Sequence, residues 1–233
     1  MWDGIAADLE HDFACFAVTL PGHGGRAAIP PDDIDGYAYD LARQLSDPSV
    51  GPFGLIGFSM GAMVAAAFAE IYPDRVYRLV LMNAVHRRDR AARDAVMARL
   101  DQSAQDGLSA IANAAVARWF SNTFIQAHPD IVEGVRRVLL ANNPDAYQRA
   151  YRTFATADEK TAARLPKILC PVLAMTGEND VNSTPEMSSG IAASVADGRC
   201  LILENLAHGA PIEDPGRVAD ALRTFMAKEQ AHV

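Results

Sequence analysis

The chain has 233 residues, half of them hydrophobic and 21% charged, with a formal charge of -8. That balance builds one domain, or one domain with an inserted lobe, and excludes a disordered chain. The acidic surface disfavours nucleic acid and anionic membranes as partners and admits a small-molecule enzyme.

Trp2, Ile5, Ala6 and Leu9 recur at helical spacing, so the chain opens in an amphipathic helix. Residues 13–20 read as a strand, closed by the turn Pro21-Gly22-His23-Gly24-Gly25. A polar loop with Pro30 and Pro31 leads to a helix over residues 37–45. Phe53–Phe58 is a short apolar strand, residues 60–72 an alanine-rich helix ended by Pro73, and Val76–Met82 a second apolar strand. Residues 87–165 carry no strand signal. Helical patterns run there over 90–100, 108–120, 131–140 and 145–156, interrupted by Gly107, Pro129 and Pro144. Strands follow at 172–176, with Pro171 at the entry, and at 201–203. A helix over 215–227 closes the chain, with Val218, Leu222 and Phe225 on one face.

The strands are near-continuous apolar runs, as in a parallel sheet covered on both faces. Their alternation with helices predicts an α/β fold, with a core of residues 1–86 and 166–233 and a helical cap of residues 87–165. No run reaches the ~20 apolar residues of a membrane helix. The start, Met1-Trp2-Asp3, lacks a basic stretch followed by an apolar one, so a cytoplasmic protein is expected. Cys15, Cys170 and Cys200 stand alone in apolar runs and are read as buried thiols.

Gly57-Phe58-Ser59-Met60-Gly61 matches G-x-S-x-G between a strand and a helix. This chemistry needs a serine on a sharp, strained turn, with flanking glycines for close packing and a helix N-terminus facing the developing oxyanion. His208 follows the last strand and is the candidate general base. Asp180, at the end of a strand, is the candidate for orienting it, with Glu178 as rival. The order Ser, Asp, His, each at a strand end, distinguishes this arrangement from other serine hydrolases. His11, His86, His128 and His232 are read as without a role, and His23 as turn structure with substrate contact as the alternative.

With these residues in place the chain resembles the α/β-hydrolase superfamily. The resembling stretches are Leu20-Pro21-Gly22-His23-Gly24, the serine motif, Tyr72-Pro73-Asp74-Arg75-Val76, Thr176-Gly177-Glu178-Asn179-Asp180 and Leu206-Ala207-His208. The lobe resembles the cap of 3-oxoadipate enol-lactonases at Arg118-Trp119-Phe120 with Phe124, and at Asn143-Pro144-Asp145-Ala146-Tyr147 followed by Ala150-Tyr151-Arg152. Esterases, carbon–carbon hydrolases and cofactor-free peroxidases share similar caps, and a non-catalytic ligand-binding relative is the other class.

The resemblance implies an ester or lactone substrate, an acyl-enzyme on Ser59, and an oxyanion donor at the Met60 N–H. It implies neither a metal nor an organic cofactor. Phe58, Trp119 and Phe124 are the expected substrate contacts, and Arg118 and Arg152 the candidates for binding a substrate carboxylate. The family's first strands, including the one that carries a second oxyanion donor, have no counterpart before Trp2. Met1 is therefore expected to be an internal methionine, and the chain to be weakly active, since one lost oxyanion donor costs ~100- to 1,000-fold in rate.

Overall fold

The computed structural model describes residues 1–26, 29–47 and 50–227. Its elements in chain order are α1 (Asp3–Leu9), α2 (Ile34–Gln44), β1 (Phe53–Phe58), α3 (Met60–Ile71) and β2 (Val76–Met82). Then come α4 (Arg90–Trp119), α5 (Asn122–Ala127), α6 (Pro129–Leu140), α7 (Pro144–Thr156) and α8 (Asp158–Arg164). The chain closes with β3 (Val172–Gly177), α9 (Pro185–Ala193), β4 (Gly198–Leu203), α10 (Ala210–Glu213) and α11 (Pro215–Met226).

The strands form one parallel sheet in the order β1-β2-β3-β4. Its apolar runs are continuous because both faces are covered. On β2, Leu79 and Leu81 join a core with α2 and α3, while Val80 and Met82 join a second core with α1 and α11. On β3, Val172 and Ala174 face the first core and Leu173 and Met175 the second. Successive side chains on a strand point to opposite faces, so each face needs its own apolar set.

Helix starts follow local chemistry. Asp33, Asp89, Ser121, Asn143, Thr184 and Asp214 each accept a hydrogen bond from a first-turn N–H. Proline opens α6, α7, α9 and α11, where its missing N–H costs nothing. Pro129 and Pro144 thus begin helices as well as interrupting the pattern. Gly107 sits at φ 73°, ψ 173° inside α4 and breaks its axis.

Two expectations are corrected. Residues 13–20 form no strand, and Phe16 there is 77% exposed. A strand needs a ladder partner about 4.8 Å away. Among the described residues β1 pairs only with β2, and residues 13–20 share with β1 the wall of a cavity instead. The thiols of Cys15 and Cys200 are exposed and that of Cys170 is partly covered. Cys15 lies in that unpaired segment, and Cys200 near the exposed start of the edge strand β4. No described helix is long and apolar enough to cross a membrane, and His232 lies outside the described residues.

Candidate active site

Ser59 alone makes the turn between β1 and α3, at φ 53° and ψ -118°. That conformation costs a non-glycine residue about 1–3 kcal/mol and persists only where its surroundings hold it. The Ser59 N–H donates to the Met82 carbonyl at 2.9 Å, fastening the turn to the end of β2. A Cβ on Gly57 would fall closer than 3.0 Å to Gly61 O and Ala62 Cα. Nothing lies within 4 Å of the corresponding point on Gly61. Close packing therefore requires Gly57 and not Gly61, which corrects the reading that both glycines serve it. The first N–H groups of α3, Met60 among them, lack intrahelical acceptors.

His208 reaches Ser59 from the loop after β4. Its Nε2 lies 3.2 Å from Ser59 Oγ, and its Nδ1 lies 2.7 Å from Asp180 Oδ2. Histidine and aspartate are 3% and 2% exposed, so water does not compete for this pair. Asp180 Oδ2 also accepts from Asn83 Nδ2 at 2.8 Å and Thr176 Oγ1 at 3.1 Å. Its Oδ1 accepts from the N–H groups of Asn182 and Ser183. Burial pushes the carboxyl upward. The hydrogen bond and charge of His208, with the bonds from Asn83 and Ser183, outweigh burial and hold it below its usual value. With the carboxylate on Nδ1, the network assigns the proton to Nδ1 and leaves Nε2 free to accept from Ser59. Glu178 is exposed and accepts from the Asn205 N–H, away from the imidazole.

Close backbone approaches hold the histidine loop. A Cβ on Gly177 would strike the carbonyls of Leu206 and Ala207, so β3 admits the loop only with glycine there. The Gly209 N–H donates to Trp119 O at 2.6 Å. Glu213 spans the same junction, accepting from Ser121 N–H at 2.8 Å and Ala207 N–H at 2.6 Å. The rings of Phe58 and Trp119 stand 5.1 and 5.9 Å from that of His208.

Ser59, Met60 and His208 open into a cavity of about 1530 Å³. Phe58, Trp119, Tyr147, Tyr151 and Phe154 line it, and it continues along the free edge of β1 to residues 13–20. His23 also lines it, its Nδ1 3.2 Å from Pro21 O, and burial lowers its pKa. Phe124, an expected substrate contact, is turned away. Its ring stacks on Phe120 at 5.3 Å, in a cluster with Val116 and Val132. Among the described residues no three His, Cys, Asp or Glu side chains are grouped to hold a metal ion.

The sequence pattern of the alpha/beta hydrolase family matches residues 1–221. The chain belongs to this family. This α/β hydrolase is 31% identical over 214 residues to (E)-2-((N-methylformamido)methylene)succinate hydrolase of Acinetobacter baylyi, covering 90% of this chain and 79% of that one. It is 25% identical over 229 residues to 3-oxoadipate enol-lactonase 2 of the same organism, covering 98% and 84%. Its fold superposes on the enol-lactonase from Burkholderia xenovorans LB400 with a TM-score of 0.86 at 23% identity, covering 97% and 86%. The α/β hydrolase is accordingly an enzyme of the carboxylic ester hydrolase type. Two residues beside Ser59, His208 and Asp180 escaped the sequence reading. Asn83 carries only one signal, its position after the apolar run of β2, and Glu213 carries none that separates it from a surface acid.

Proposed function

We propose that the chain cleaves a small-molecule carboxylic ester or lactone through an acyl-enzyme on Ser59, beneath a cap formed by residues 87–165. One observation carries the reading: the unbroken hydrogen-bonded line from Ser59 Oγ through His208 to Asp180. His208 Nε2 takes the proton from Oγ as it attacks the carbonyl carbon. Asp180 holds the imidazole by its Nδ1–H and stabilises the imidazolium that forms. The Met60 N–H at the start of α3 donates to the oxyanion. Nε2–H then protonates the leaving alkoxide, and the same atom deprotonates the water that releases the acid. In a lactone the leaving group stays tethered, so water must attack before the ring re-closes. The enol-lactonase relative makes 3-oxoadipate enol-lactone the first substrate to try.

The test is covalent labelling by a fluorophosphonate, read by intact-mass spectrometry. Wild-type chain should gain one adduct, and Ser59→Ala should gain none and lose ester turnover by ~10⁴- to 10⁶-fold. An unlabelled wild-type chain that still binds ester would indicate a binding protein and end the proposal.

A further inference from the structure

The stretch that carries His208 is packed on two sides. On one side lie α4 and α5. Ile212 joins the cluster of Val116, Phe120, Phe124 and Val132. A Cβ on Gly209 would strike the Phe120 ring and crowd the Trp119 carbonyl that accepts from the Gly209 N–H, so only glycine fits this contact. On the other side lies the sheet. Leu206 and Ala210 belong to the core shared with α1 and α11, and Leu206 O accepts from the N–H of Asn179, next to Asp180. The imidazole therefore sits at a junction, and its aim depends on how the two sides are held together.

Glu213 spans that junction with both carboxylate oxygens. It ends α10, and the side chain folds back over the histidine loop. Oε1 accepts at 2.8 Å from the N–H of Ser121, the residue that caps α5 where α4 has just ended. Oε2 accepts at 2.6 Å from the N–H of Ala207, the residue directly before His208. Ala207 is 3% exposed, so its N–H has no access to water and would be costly to leave unpaired. Two N–H donors converging on one side chain call for two acceptor oxygens. Glutamine offers one oxygen and a competing donor, and aspartate is one methylene shorter.

We propose that Glu213 is a positioning residue for ester cleavage: it fixes the backbone of the histidine loop to the α4–α5 junction, so that His208 Nε2 stays on Ser59 Oγ while Nδ1 stays on Asp180. The placement of α4 and α5 and the aim of the imidazole are thereby coupled, although Glu213 touches neither Ser59 nor the ring of His208. Loosening the bridge leaves the substrate its walls and takes proton transfer out of alignment, and a displacement of about 1 Å can cost ~100-fold in rate. This role rests on the hydrolase reading of the same site.

Hydrolysis of p-nitrophenyl acetate and labelling of Ser59 by a fluorophosphonate test it, both read well below each variant's melting point. Glu213→Ala should lower kcat by about 10- to 100-fold with KM within about twofold, and slow labelling in step. Glu213→Gln keeps one acceptor and should lose less. Ser121 tests the far end of the bridge. Its φ of -64° and ψ of 148°, after an extended Phe120, already suit proline. Ser121→Pro deletes the N–H that Glu213 accepts, whereas Ser121→Ala removes only the capping hydroxyl. The proline variant should have a kcat about tenfold below that of the alanine variant, a comparison that decides the matter even where Glu213→Ala does not fold. In a His208→Ala background Glu213→Ala should cost no further rate, because it acts through the imidazole, whereas a general loosening of the fold would still lower it. An unchanged kcat in Glu213→Ala, equal kcat in the two Ser121 variants, or the same loss with and without His208 would overturn the positioning role alone. A wild-type chain that neither cleaves ester nor takes the label would end the hydrolase reading, and this role with it.

Discussion

Asn83 shows how much of the proposed catalytic line rests on a residue that touches neither Ser59 nor His208. It sits just past β2 at φ 49°, a conformation asparagine tolerates better than most residues, and its N–H donates to Met175 O at 2.8 Å. So held, its Nδ2 reaches both Asp180 Oδ2 and Thr176 Oγ1. Asn83→Leu removes one donor from a buried carboxylate, where hydrogen bonds to charged groups are worth about 1.5–3 kcal/mol. Losing a donor raises the Asp180 pKa. On acidification the variant should lose activity at a higher pH than wild type, with kcat down about tenfold and KM little changed. A superimposable pH–rate profile would show that Asn83 is only packing.

The strand–turn–helix unit from β1 to α3 depends on a few atoms of clearance. Gly57→Ala places a methyl against backbone atoms of α3, which rotamer changes do not relieve. Overpacking of this kind costs about 1–3 kcal/mol, and the strained serine turn should move with it. Gly61→Ala meets open space and adds a better helix former, so it should be neutral or slightly stabilising. Thermal melts of the two variants should diverge, Gly57→Ala well below wild type and Gly61→Ala at or above it. Equal melting points would refute the clearance argument.

Across the whole molecule, stability should depend on pH in two windows. Burial lowers the pKa of His23, and burial and then Arg87 lower that of His86. Both stay neutral when folded while the unfolded chain binds protons below about pH 6.5, so stability falls on acidification from there. Asp40 is held low chiefly by its hydrogen bonds from Arg26, against burial, and Asp180 is held low as well. Their contribution is present above about pH 4 and is lost as pH falls further through the folded values. His23→Asn should flatten the upper window and leave the lower one intact in melts from pH 8 to 3. An unchanged upper slope would show that His23 is not linked to folding.

The apolar runs of β2 and β3 were legible because a doubly covered parallel strand is apolar throughout, whereas only the last three residues of β4, beyond its exposed start, carried that signal. The serine turn was legible because it depends on residues adjacent in the chain. Residues 13–20 have the composition of a strand and are not one, because a strand exists only with a neighbour. Trp119 faces the imidazole while Phe124 packs against Phe120, and Arg118 lines the cavity while Arg152 does not, although the two arginines come from the same kind of helical pattern. Local sequence encodes a residue's own backbone preference and which side of an element is apolar. Which groups meet depends on segments distant in the chain arriving at one place, and only the folded chain sets that.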